Sequence, residues 1–240
     1  MKVLGIETAT SVCGTAIIEN GINYSERSFK APYIHSEKLV SLVESVLADS
    51  KLTTQDLDGI AVSIGPGSFT GLRIGLSVGK GLAYAINKPL ICVCTLESLA
   101  WNIIQEGIAQ EDDYIIPMID ARRTEVYMAL YRYRGDGFEE IVMPCAIVLQ
   151  KLGDLIPDKG SVIITGDGAD KFQAFLQKDP PVYFPRITIP IIEKRLCRSF
   201  TVGLLGERKF LQGERSDIAS VEPMYVKEFY TLMKTQHLQV

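Results

Sequence analysis

Apolar and polar positions alternate or cluster in a sequence that predicts strands first and helices second. Lys2 to Glu7 (KVLGIE) and Val12 to Ile18 (VCGTAII) read as strands, and Asn20-Gly21 between Ile18 and Ile22 is a two-residue hairpin signal, so three antiparallel strands open the chain. In HSEKLVSLVESVLADS the apolar residues Leu39, Val40, Leu42, Val43, Val46 and Leu47 recur at helical spacing, with the start at His35 or Ser36. Gly59 to Ile64 (GIAVSI) and Pro89 to Cys94 (PLICVC) are continuous apolar runs of strand length, as expected of parallel strands covered on both faces. A glycine-rich helix lies between them. The first half therefore reads βββαβαβ, and Thr95 starts a further helix.

A second unit is expected from about residue 110, where Gln-Glu-Asp-Asp interrupts the apolar pattern, giving units 1–109 and 110–240. Tyr114 to Ile119 and Glu125 to Tyr133 read as strands, and Gly135-Asp136-Gly137 turns the chain into another from Phe138 to Met143. A short helix is predicted around Pro144 to Leu152, then a strand SVIIT that ends in Gly166-Asp167-Gly168-Ala169. This half looks like a reduced repetition of the first. Pro190 to Gln212 is predicted to be helical, packing back on the first unit, and the stretch from Asp217 carries VEPMYVKEFY and ends in a polar tail expected to be loosely held.

With 240 residues and 47% hydrophobic content the chain is globular. Its apolar runs fall short of the ~20 residues that a membrane helix needs, and Met1 leads directly into a strand, so a cytoplasmic location without membrane contact is expected. A net charge of −4 argues against a general electrostatic nucleic-acid binder, although residues 186–215 are locally basic. Five scattered cysteines suit a reducing compartment rather than a disulfide framework, and the Cys92-x-Cys94 pair reads as core thiols.

The segment GPGSFTGLRIGLSVGKGLAYA (65–85) raises the sharpest question, because glycines inside a helix cost ~1 kcal/mol each relative to alanine. Its spacing matches neither the Rossmann fingerprint nor the Walker A loop. Gly71, Gly75, Gly79 and Ala83 stand four apart and form one groove that permits close backbone approach, whether to the chain's own sheet or to another molecule. Arg73, Ser77, Lys80 and Tyr84 form a narrow polar strip, while apolar residues occupy nearly everything else. A helix so apolar needs cover on more than one side. The expectation is that this helix and the preceding one jointly expose an apolar surface that a partner protein buries, through Leu39, Leu42, Val43, Val46, Gly71, Leu72, Gly75, Leu76, Gly79 and Ala83.

The motifs IETATS, HSEKL, SIGPGSFTGLRIGLSVGKGLA, TLESLA, IDARRTEVYMALY and GDGA, in that order, resemble the TsaB family over about residues 1–170, and PMYVK resembles that family's P-x-Y terminal motif. The resemblance implies an α/β, actin-like (ribonuclease H-like) fold of two related lobes, each a mixed sheet flanked by helices. It also implies a noncatalytic subunit that pairs through its first two helices with itself or with the catalytic relative TsaD, is joined by the ATPase TsaE, and meets tRNA only within the complex that makes threonylcarbamoyladenosine.

The catalytic relative holds a metal through two histidines at helical spacing, whereas His35 and His237 here stand far apart, so no metal site is expected. Actin-like ATPases carry a D-x-G-T/S turn after the first strand. The matching Glu7-Thr8-Ala9-Thr10 keeps an acid but replaces the glycine, leaving Glu7, Thr8, Thr10 and Asp120 as a remnant nucleotide site, and no cofactor is expected beyond weak or interface-shared nucleotide. In Asp120-Ala121-Arg122-Arg123-Thr124-Glu125, Asp120 is expected to pair with an arginine, and Tyr127, Tyr131 and Tyr133 to serve packing rather than base stacking. The alternative to a scaffold is an independent ATP- or metal-dependent enzyme, a kinase or peptidase of the same fold.

Overall fold

The computed structural model describes residues 1–31, 33–157, 159–178 and 186–226; His237 and the rest of the polar tail lie outside them. The opening hairpins form as the alternation predicts: β1 (Lys2–Glu7), β2 (Val12–Glu19) and β3 (Ile22–Lys30) are antiparallel, with Val3 opposite Ile18. Helix α1 (His35–Asp49) leads to β4 (Gly59–Gly65), α2 (Phe69–Ala85) and β5 (Leu90–Cys94). These strands form one mixed sheet in the order β3-β2-β1-β4-β5, in which β1, β4 and β5 run parallel. Period-two alternation sends Leu4 and Ile6 of β1 into the core beneath α1 and α2, and Val3 to the opposite face.

The second lobe repeats this plan. After α3 (Thr95–Gln105), β6 (Tyr114–Asp120), β7 (Glu125–Tyr133) and β8 (Phe138–Val148) are antiparallel, a 3-10 segment at Leu149–Asp154 replaces the first helix, and β9 (Ser161–Thr165), α4 (Gly168–Lys178) and β10 (Arg186–Thr188) follow. The sheet order β10-β9-β6-β7-β8 mirrors the first. This is the actin-like, two-lobed architecture. The last helix, α5 (Ser199–Leu211), lies on the face of the first sheet opposite α1 and α2, with Val202 and Leu205 against Val3, Ala61 and Val93.

Helix α3 joins the lobes, because Leu96, Leu99, Ala100 and Ile103 pack on Ile115, Ile119 and Ile163 of the second sheet while Trp101 joins the α5 side of the first. Packing thus crosses the position at residue 110 where the apolar pattern breaks. The layers run α1/α2, first sheet, α3/α5, second sheet, α4.

Two local expectations are corrected. Pro144 to Val148 is strand, not helix: β8 is the edge of its sheet, where a missing N–H is tolerated, and Val126 and Tyr127 recruit Ile147 and Ala146 into the ladder. The stretch from Pro190 is a loop with one 3-10 turn, and the helix begins only at Ser199; Gly203 and Gly206 lie inside it because a Cβ there would stand 2.0 Å from Ile18 and 2.2 Å from Ala61. The segment that carries PMYV is held on the first lobe. Ser216 N–H donates to the Leu90 carbonyl (2.9 Å), Met224 N–H to the Ile64 carbonyl (2.7 Å), and Ile218 and Val221 pack on the first core. No helix among the described residues is long and apolar enough to cross a membrane.

Candidate functional site

Helices α1 and α2 form the outer layer of the first lobe, and the start of α2 fixes how closely that layer lies on the sheet. Ser68 caps the helix by accepting the Gly71 N–H (3.2 Å), and its own N–H donates to the Ala9 carbonyl (2.6 Å). A Cβ at Gly71 would lie 2.1 Å from the Thr8 carbonyl oxygen, one at Gly75 2.2 Å from the Thr8 hydroxyl, and one at Gly79 2.4 Å from Val62. Backbone therefore meets the β1–β2 turn where any other residue would hold it off.

This geometry overturns the expected use of the glycine groove. Gly71, Gly75, Gly79 and Ala83 face the chain's own sheet, Leu39, Leu42, Val43, Val46 and Leu76 are buried in the core between helices and sheet, and Leu72 is buried near Gly65. Helical periodicity groups the residues of one face but does not say what that face meets. None of the ten is a surface for a partner.

The outward faces differ in kind. On α1, Val40 is 54% exposed, with Ser41, Glu44 and Ser45 beside it. On α2, Arg73, Ser77 and Tyr84 of the polar strip are exposed, Lys80 is half-buried, and Phe69 is 40% exposed. Ile74, Val78 and Leu82 are half-buried along the helix, in contact with the core yet open on one side. Glycine 81 meets nothing within 4 Å. The face combines apolar area with charge, as interfaces between soluble partners do. Phe69 and Val40 escaped the sequence reading because it followed the continuous glycine row; their signal was only that an apolar residue falls on the polar side of its helix.

The other candidate lies where β1 and β6 end in equivalent acids. Glu7 is fully buried, and burial pushes its carboxyl up to about 7, opposed by hydrogen bonds from the Ala9 N–H (2.5 Å), the Ser63 hydroxyl and Thr8. Glu7 Oε2 and Thr8 Oγ1 have no hydrogen-bond partner among the described residues. The Thr8 N–H points to Ser63 Oγ (3.4 Å), so the two backbone donors after Glu7 are both engaged inside the protein.

Among the described residues no hydrogen bond links Asp120 to Glu7. Asp120 is exposed, accepts the Arg122 N–H (2.7 Å), and its ion-pair partner is Lys171 of α4 rather than an arginine, because that helix passes directly over the turn. Its N–H donates to Asp167 (3.1 Å), whose carboxyl is raised by burial and by the Asp120 charge. Between the acids lies the segment before α5: Arg195 donates to the Gly166 carbonyl (2.8 Å) and pairs with Asp170, and the buried Cys197 thiol, raised by burial and by the charges of Glu7 and Asp167, hydrogen-bonds with Thr10. Among the described residues no group of three His, Cys, Asp or Glu comes together to hold a metal. His35 is buried at the start of α1 with Nε2 3.2 Å from the Val12 carbonyl. Cys92 and Cys94 are half-buried, and Tyr131 packs with Phe138 at 5.2 Å.

The family model of TsaD, tRNA N6-adenosine threonylcarbamoyltransferase, matches residues 30–208. The chain is 33% identical to the tRNA threonylcarbamoyladenosine biosynthesis protein TsaB of Bacillus subtilis over 77% of this chain and 70% of that protein. It is 28% identical to the protein of the same name from Escherichia coli over 95% of each. A solved structure from Pseudomonas aeruginosa, an uncharacterized protein with similarity to peptidase YeaZ, superposes with a TM-score of 0.76 at 23% identity, covering 94% of this chain and 99% of that one.

Proposed function

The chain belongs to the TsaB family, which gives it a role in tRNA threonylcarbamoyladenosine biosynthesis, and we propose that within this role it is a noncatalytic scaffold. It docks the TsaD-like catalytic subunit through the outer faces of α1 and α2, holds that subunit in its active arrangement and leaves the threonylcarbamoyl transfer to it. A TsaE-like ATPase joins the assembly, tRNA is met only through the complex, and the same helices pair two copies of the chain when it is alone. The cytoplasm is where this chemistry takes place.

The observation that carries the reading is the composition of the outer face. Val40, Phe69 and Tyr84 are exposed, and Ile74, Val78 and Leu82 are open along one side, on adjacent helices over a rigid core. The β1–β2 turn supports the noncatalytic part. The N–H groups of Thr8 and Ala9 already have internal acceptors in Ser63 and Glu7, so they are not free to receive a nucleotide phosphate. Purified alone, the chain is expected to form no threonylcarbamoyladenosine, and added to the TsaD-like subunit it is expected to restore modification. Product formation by this chain without that partner, or tight stoichiometric Mg-ATP binding by titration calorimetry, would defeat the proposal.

A further inference from the structure

On the outer face of α2 the protein spends two separate contacts on a single exposed side chain. The guanidinium of Arg73 lies over the Phe69 ring at 3.8 Å from its centre, and its Nε–H donates to the Tyr225 hydroxyl at 2.9 Å. Tyr225 in turn packs on Phe69, ring centres 5.4 Å apart. The strap that delivers Tyr225 is anchored one residue earlier, where Met224 N–H bonds the Ile64 carbonyl, and Gly65 makes room for it, since a Cβ there would lie 2.7 Å from the Met224 carbonyl oxygen. Nη1 and Nη2 of Arg73 have no partner among the described residues.

Stacking and a hydrogen bond to Nε orient a guanidinium while leaving its terminal fork unused. A fork so held has lost its rotamer freedom in folding, and a ligand that takes both terminal nitrogens need not pay for it again. The matching ligand is a planar carboxylate or a phosphate. The singly charged carboxylate is favoured, because the chain as a whole carries −4, a poorer setting for a polyanion.

We propose that Arg73 is a preset receptor for an Asp or Glu carboxylate of the TsaD-like subunit, with Phe69 and Tyr225 as positioning residues. This rests on the docking reading above and adds to it a specific charge pair and a role for the C-terminal strap. Titration calorimetry of the full chain against the TsaD subunit of the same organism tests it. R73Q is expected to weaken the complex by about tenfold or more, R73K to stay within a factor of about three of R73Q because it keeps charge without the fork, and Y225F to weaken it by about threefold to tenfold. The double variant R73Q/Y225F should be no worse than R73Q, since the hydrogen bond from Arg73 to the hydroxyl is already lost in R73Q. Thermal melts of the isolated R73Q and R73K variants should match the parent, as that side chain is exposed. R73Q binding within about twofold of the parent, or additive losses in the double variant, would overturn the receptor while the docking reading stands. An R73Q loss confined to tRNA binding would assign the fork to phosphate and overturn it too. A parent chain that fails to bind the TsaD subunit overturns both.

Discussion

Gly75 of α2 sits so close to Thr8 that a Cβ on it would stand 2.2 Å from the threonine hydroxyl. That single approach explains why the helix keeps glycine at a position that costs helical stability: it lets the outer layer close on the turn after β1.

Gly75→Ala should therefore lower stability by about 1–3 kcal/mol through overpacking, even though alanine is the better helix former. Gly81→Ala, on the solvent side with nothing within 4 Å, should be neutral or stabilise by about 0.5–1 kcal/mol. Urea denaturation of the two variants measures the contrast, and equal effects would refute the assignment of the seam to the chain's own sheet.

Leu39 and Val40 are sequence neighbours with opposite fates, the first 1% and the second 54% exposed. Leu39→Ala should cost about 2–5 kcal/mol of stability. Val40→Glu should leave the melting temperature nearly unchanged but weaken association with the TsaD-like subunit by about tenfold. Denaturation and calorimetry on both variants separate packing from docking.

Glu7 makes stability depend on pH. Its carboxyl titrates near 7 in the folded protein and at the ordinary value of 4.5 when unfolded, so between these pH values the folded state holds a proton that the unfolded state has released. The stability present below pH 4.5 falls by about 1.4 kcal/mol per pH unit across that window, and the full penalty is in force above 7. Glu7→Gln removes the titration, so its stability relative to the parent should rise between pH 5 and pH 8. A difference that stays flat over that range would place the carboxyl's titration elsewhere.

Removing the strap by ending the chain at Arg215 strips Ile218 and Val221 from the first core and frees the Ile64 carbonyl. The loss should be on the order of 1–3 kcal/mol, since both side chains are only partly buried. Hydrogen exchange should quicken in β4 and the start of α2 and stay unchanged in the second sheet.

Much of the fold was legible in local chemistry. Asn20-Gly21 turns the first hairpin because both residues take positive φ, 53° and 78°, as that dipeptide signals. What the dipeptide does not carry is that both their N–H groups donate to Glu207 of α5, at 2.9 and 2.6 Å. The helix predicted at Pro144 and the early start predicted at Pro190 failed for a related reason: whether such a segment joins a ladder, a loop or a helix depends on a neighbour far along the chain. Of the candidate site, the exposure of Arg73, Ser77 and Tyr84 followed from helical spacing, and the mistake lay in reading the glycine row as open to a partner.

Periodicity, turn dipeptides and continuous apolar runs determined from the sequence alone which segments became strands and helices, the repeated lobe plan, and the family motifs. Those signals act over a few residues, so a linear pattern carries them whole. Tertiary structure alone decided that α2 turns its bare side inward onto Thr8 and Val62, that Asp120 answers to Lys171, and that Tyr225 returns across the chain to hold Arg73. Each of these is a meeting of distant segments, and only the folded packing sets how far apart they come to rest.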